Sequence, residues 1–496
     1  MSSDTAESAI AQHPNGLAAP AGAGARGGAR ERDRERAMAV RAVWQALWSS
    51  RLLVWAGGVG AIVSFGFGPV RHAFNPPGVT RGFGALGDLL AAPAARWDAA
   101  WYLVIAHFGY RPEFGAMTAS RTAFFPLYPL GMRLLAGFEL APVIAGVLLS
   151  IAALAAGLYG LHRLMSLEVA RMRLRGGGEL ARLVVLLTAF APMAFYFSAV
   201  YSESLYLALS VGVFVCARRG RWVTAATLGA LAGATRSTGV VLTIPLALIY
   251  LYGPREDRDP DRVRSHPPRT SSRSRWLPSF GHYVHSFRAP LARVRLAALL
   301  GRLRPSYRVR RDALWIVLVP VGLGLYMAHL ALAGGDALAP FHAEAVWRRH
   351  FAGPYGGVWD GAKAAYEGLR QLIFRQHHPA YFPAGGGSAN IGAGHNLLLF
   401  AFLLAAIPAT IGVLRLLPLA YGVYALAALA LPLSYPVASQ PLMSLPRFLL
   451  VLFPLNMWLA VRLAERPKAV TRAILIVSGL AMMFFAGEFS TWHWVA

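Results

Sequence analysis

The sequence predicts an all-α polytopic membrane protein with about eleven transmembrane helices. Three observations predict it. Of 496 residues, 56% are hydrophobic and only 14% charged, and the mean hydropathy of +0.46 is too high for water-soluble domains of ordinary composition. Lys and Arg number 48 against 23 Asp and Glu, a net charge of +25, and Lys363 and Lys468 are the only lysines. The charge is also segregated, with long uncharged runs alternating with short Arg-rich ones. A soluble nucleic-acid binder spreads its charge over a polar surface, so no nucleic-acid partner is expected; this pattern is that of the positive-inside rule, and the expected surrounding is the lipid bilayer.

Residues 1–45 are rich in Ala, Gly, Arg and Glu, lack hydrophobic periodicity, and read as a disordered cytoplasmic tail. The formal GxGxxG at Gly22–Gly27 follows no strand, so it carries no dinucleotide reading. No cleavable signal peptide is expected. The apolar runs fall at 52–70, 141–161, 183–200, 205–217, 222–234, 240–251, 313–333, 397–414, 416–431, 448–463 and 473–485. Residues 124–135, broken by Pro126 and Pro129, suit a re-entrant or interfacial element. Residues 46–253 then form an N-terminal transmembrane part, 254–311 an Arg-rich cytoplasmic loop, and 312–496 a C-terminal transmembrane part with a long external loop at 334–395. Gly229 and Gly233, spaced as GxxxG, are expected to let two helices pack closely.

Residues 254–311 carry 15 Arg against 4 acids, which places them on the cytoplasmic side. The N-terminus, Arg171 to Arg175, Arg218 to Arg221 and Arg462 to Arg472 fall on that same side if the spans alternate. The other side receives 71–122, 334–395 and 434–447. Loops there hold the aromatic and acidic residues that insertion does not require. The single cysteine, Cys216, forms no intrachain disulfide and leaves no thiolate metal cluster.

Within these external segments, Arg96-Trp97-Asp98 leads into Trp101-Tyr102, Tyr201-Ser202-Glu203-Ser204 sits at a mouth between two spans, and Arg236 and Arg447 lie beside apolar runs. Charges at such depth usually face a water-filled cavity or a charged ligand. A structural alternative pairs Glu203 with Arg236 inside the bundle and lets Arg447 reach the head groups. Taken together, one external carboxylate near aromatic platforms with deeper arginines suits chemistry on a lipid-linked phosphosugar.

Arg96-Trp97-Asp98 with Ile105-Ala106 and Gly109-Tyr110, Phe124 to Pro129, Tyr201 to Ser204, Ala234 to Ser237 with Gly239, Gly334 to Phe341, and Pro446-Arg447-Phe448 occur in the order seen in mannosyltransferases resembling phosphatidylinositol-glycan class V. The resemblance implies a type-C glycosyltransferase-like bundle with external interfacial helices. It also implies transfer of a sugar, typically mannose, from a polyprenyl-phosphate donor to an acceptor on the non-cytoplasmic face, with Asp98 as the catalytic base. Phe448 stands where Tyr is common, and the segment after Asp336 departs from the usual form, which leaves the role of Asp336 open.

Chemistry supports the same assignment. Attack by a hydroxyl on the anomeric carbon needs proton removal, which Asp98 can supply. The departing phosphate gains charge that Arg236 and Arg447 can hold, and a single displacement inverts the anomeric centre. Glu203 and Tyr201 belong to the substrate-orienting set with Arg96 and Asp336, while Trp97, Trp101 and Tyr102 can stack on the sugar or line the prenyl entrance. No cofactor is required; a divalent metal on Asp98, Glu203 and Asp336 is possible, although no spacing demands one. The external histidines His342, His350, His377, His378 and His395 lack a zinc motif. The acceptor is expected to be a glycolipid or a protein. The Arg-over-Lys bias points to a GC-rich bacterial gene, hence a bacterial plasma membrane with an extracytoplasmic active site. The alternative is a transporter or flippase of a lipid-linked saccharide, for which the inverted repeats common in transporters are not seen.

Overall fold

The computed structural model describes residues 21–68, 84–110, 121–137, 140–174, 176–257, 305–375 and 387–495. Among them no strand occurs; a single bridge joins Arg349 to Val437. The first helix, α1 (Ala21–Phe65), begins inside the stretch expected to be disordered. Ala, Arg and Glu are strong helix formers and the charges alternate so that opposite signs stand three apart, as Asp33 and Arg36 do. From Ala39 onward Ala42, Val43, Ala46 and Leu47 are buried at helical spacing, so tertiary packing fixes the rest.

The short helices α2 (Gly84–Leu90), α3 (Ala99–Phe108) and α4 (Leu127–Ala136) precede the long α5 (Pro142–Met172). Then come α6 (Gly177–Ala189), α7 (Glu203–Arg218), α8 (Trp222–Gly233) and α9 (Thr243–Tyr252). After residues 258–304, which hold most of the Arg-rich loop and lie outside the described residues, follow α10 (Val321–Gly334), α11 (Gly353–Phe374), α12 (Ala389–Leu416) and α13 (Leu419–Leu433). The chain closes with α14 (Leu445–Leu450), α15 (Phe453–Ala464) and α16 (Lys468–Ser490).

By length and composition, the described helices long and apolar enough to cross a bilayer are Asp33–Phe65, Pro142–Met172, Ala389–Leu416 and Lys468–Ser490. The pair Arg311–Leu318 and Val321–Gly334, bent by 43°, makes a fifth if it is one span. The remaining apolar runs, expected from composition to bring the count to about eleven, form shorter helices: 3₁₀ turns at Ala194–Phe197 and Ser237–Leu242 interrupt them. Helix α16 presents an apolar face away from the bundle, where Ile476, Val477, Leu480 and Phe484 are all more than half exposed.

Contacts sort the helix ends into two groups. At one end Arg96 Nε donates to Ser490 O at 3.1 Å and Trp97 Nε1 to His493 O at 3.2 Å, so the start of α3 meets the end of α16. At the other, the fully buried Glu168 of α5 receives Arg218 Nε at 2.6 Å, Arg171 Nε at 2.8 Å and the Tyr421 hydroxyl at 2.7 Å, fastening α5, α7 and α13. Arg171 and Arg218 thus meet on one carboxylate near the C-terminal end of α5. Glu168→Gln leaves Arg218, itself 4% exposed, without its counter-charge. The expected result is a loss of about 3 kcal/mol in denaturant unfolding of the detergent-solubilised protein.

The expected close packing at Gly229 and Gly233 is present. A Cβ on Gly229 would stand 2.8 Å from a Val319 methyl, and one on the facing Gly322 would collide with the Ala230 carbonyl. The Pro-broken run after Phe124 forms α4, whose first N–H donates to Ala234 O at 3.0 Å and so fixes it to the end of α8.

Candidate active site

Asp98 occupies the N-cap position of α3, but its carboxylate does not cap the helix. Preceding it, Trp97 has φ of 55°, a left-handed conformation costly for a bulky side chain. That turn sends Arg96 and Trp97 toward the C-terminal segment: Arg96 stacks over Trp492 at 4.8 Å, and Trp97 meets Trp492 and Trp494 edge-on. The Tyr201 hydroxyl donates to Arg96 O and accepts from Asp98 N–H, both at 3.1 Å, and Tyr102 shares a 2.9 Å hydrogen bond with Ser202. The two external segments that carry the acids are thereby joined.

Arg447 Nη1 lies 2.6 Å from Asp98 Oδ2, and Arg447 Nε 3.2 Å from Glu203 Oε1. The same Glu203 oxygen accepts from Arg236 Nη1 at 2.9 Å. Asp98, Glu203, Arg236 and Arg447, four positions far apart in sequence, therefore form one charge-balanced cluster. Glu203 is 1% exposed and sits at its floor, while the side chains of Asp98, Arg236 and Arg447 keep 12–13% exposure at its mouth. Burial alone would lower the Arg447 guanidinium, yet Asp98 and Glu203 hold it well above its ordinary value. Glu203 Oε2 has no hydrogen-bond partner among the described residues. A buried carboxylate oxygen left so is an acceptor awaiting a donor.

Aromatic rings wall the cluster. Phe448 lies 5.3 Å from the Arg236 guanidinium and 5.7 Å from that of Arg447, so the ring found where Tyr is common still serves both cations. Tyr196 and Tyr201 flank Arg447 at 5.9 and 5.5 Å. Trp101 stacks on Phe124 at 5.7 Å, and Trp347 closes on both edge-on. Beside Trp347, Glu344 and Arg349 pair at 3.0 Å.

Asp336 is not brought to the cluster. Its oxygens take the Leu338 N–H and His342 Nδ1, both at 2.9 Å, and the His342 bond holds its carboxyl below the usual value. A metal set of Asp98, Glu203 and Asp336 is accordingly not assembled: Asp336 is consumed in turning its own loop, and the other two hold arginines. Among the described residues no group of three His, Cys, Asp or Glu side chains converges. His377 and His378 lie outside the described residues.

Sequence reasoning did not single out Tyr196 or the Trp492–Trp494 segment. Tyr196 lies in an aromatic run, Phe195-Tyr196-Phe197, next to the Tyr201 motif, which was the available signal. Residues 492–494 gave none, since only the fold returns the end of α16 to Arg96.

Residues 72–249 match the family described as Mannosyltransferase (PIG-V). Over this segment the chain is PIG-V-like. The segment contains Asp98, Glu203 and Arg236, and Arg447 joins them from outside it. GPI alpha-1,6-mannosyltransferase 2 of Rattus norvegicus is 33% identical over 184 residues, 35% of this chain and 36% of the relative. The protein of the same name from Mus musculus matches to the same extent. The chain thus spans about a third of the length of these curated relatives. No solved structure matches.

Proposed function

We propose that this protein is an integral-membrane mannosyltransferase. It moves mannose from a polyprenyl-phosphate donor to a glycolipid or protein acceptor at the bundle end that carries Asp98, with inversion of the anomeric carbon. The observation that carries the reading is the convergence of Asp98, Glu203, Arg236 and Arg447, three of them inside the PIG-V-like segment.

In the cluster Arg447 is held by Asp98 and Glu203. A donor phosphate entering at the mouth competes for the guanidinium fork, as a phosphate presents bidentate oxygens to it. Arg447 turning to the phosphate releases Asp98 when a free carboxylate is needed. Asp98 then takes the proton of the attacking acceptor hydroxyl as the new C–O bond forms and the bond to phosphate breaks. Arg236 and Arg447 stabilise the negative charge left on the polyprenyl phosphate. Glu203 stays as the fixed counter-ion that positions both arginines, and its unpartnered Oε2 accepts from a sugar hydroxyl. The Trp101–Phe124 stack with Trp347 offers an apolar ring face to a sugar or to the first prenyl units.

The test is transfer by purified protein in liposomes supplied with polyprenyl-phosphate mannose and a crude glycolipid fraction. A product with the anomeric configuration opposite to the donor's is expected. If no mannose is transferred, while labelled lipid-linked sugar crosses the vesicle membrane, the protein is a flippase instead.

A further inference from the structure

At the bundle end opposite Asp98, the start of α1, the end of α5 and the start of α6 line an open cavity of about 700 Å³. Its ionisable walls are Glu35, Arg41, His162, Arg163, Glu179 and Arg182. Arg163 is 3.5 Å from Glu35; Arg41 and Arg182 have no carboxylate partner among the described residues. His162 is 6% exposed, and its Nδ1 has no hydrogen-bond partner among the described residues. Met38 and Leu174, 59% and 38% exposed, form an apolar rim. None of these groups has a part in the transfer chemistry.

We propose that this cavity binds the phosphodiester head group of an anionic membrane phospholipid. Three arginines against two glutamates leave one surplus positive charge, which matches the single charge of a phosphodiester. Arg41 and Arg182 supply the charge-assisted donors. The apolar rim gives the acyl chains a route to the bilayer, which distinguishes a lipid from free phosphate. Basic pockets between helices on one face of a bundle are suited to anionic head groups. A zwitterionic head group carries its own cation and leaves the surplus charge unmet.

The experiment is native mass spectrometry of the full chain in detergent, titrated separately with phosphatidylglycerol, phosphatidylcholine and inorganic phosphate. The wild type is expected to retain one phosphatidylglycerol with at least about tenfold preference over phosphatidylcholine, and the double variant Arg41→Gln/Arg182→Gln to lose that preference. Equal retention of the two lipids by the wild type, or an unchanged preference in the variant, overturns the proposal. Inorganic phosphate that displaces the lipid at equal concentration also overturns it, marking the cavity as a free-phosphate site. Should the variant not fold, a photoactivatable phosphatidylglycerol is cross-linked to the wild type. Adducts within 35–45 or 162–182 support the site, and adducts confined to other segments overturn it.

Discussion

Replacing Asp98 by Asn is expected to lower the turnover of mannosyl transfer by about 10²–10⁴-fold, the usual contribution of a positioned general base. Asn keeps the shape and a hydrogen-bond acceptor for Arg447 but takes no proton. Folding should survive, because Arg447 retains Glu203 at 3.2 Å and the backbone of residue 98 is still held by the Tyr201 hydroxyl. The donor affinity separates this role from a structural one. With the carboxylate gone, Arg447 is held less firmly and meets a phosphate more readily, so the donor Kd should stay constant or fall while kcat collapses. Steady-state kinetics with a fluorescent acceptor, together with donor binding by the same variant, check both halves. Undiminished kcat would remove Asp98 as the base; a kcat loss matched by an equal loss of donor binding would make it a positioning residue.

The alternation of apolar and Arg-rich segments was enough to predict a bundle of apolar helices, and the contacts gather Arg171 and Arg218 on Glu168. Span lengths were less legible. Composition sees an apolar run, but whether it continues as one α-helix depends on 3₁₀ breaks such as Ser237–Leu242 and on the 43° bend before α10. Nor did composition reveal α1 before residue 45, where charge spacing rather than hydrophobic periodicity favours the helix. At the site, depth alone picked out Glu203, Arg236 and Arg447, because charges beside apolar runs need partners. Asp336 looked equivalent in sequence and is not: its loop folds back so that its own Leu338 N–H and His342 consume it. Of the two structural alternatives weighed for the arginines, one holds and one does not: Glu203 does pair with Arg236, while Arg447 turns inward to two carboxylates instead of outward to head groups.

Arg447→Met is expected to cost both stability and catalysis, through different neighbours. Removing the guanidinium leaves Asp98 and Glu203 facing each other, with Arg236 bonded to Glu203 alone. An uncompensated charge in a site of 12–13% exposure costs about 3–5 kcal/mol, to be read as a lower denaturant midpoint in detergent. Loss of one donor to the developing phosphate charge should take a further 10²–10³-fold or so from kcat. Arg447→Lys tells the two apart. A single ammonium can sit between the carboxylates and restore much of the stability, but it lacks the planar fork, so kcat should remain low. The double variant Asp98→Asn/Arg447→Met provides the decisive comparison. Each single change leaves a charge behind, the pair leaves none, so the double variant should be more stable than the sum of the two losses predicts, by a coupling of about 1–3 kcal/mol. Strict additivity would mean that the 2.6 Å contact carries no energy, and the release of Asp98 by a competing phosphate would lose its physical basis.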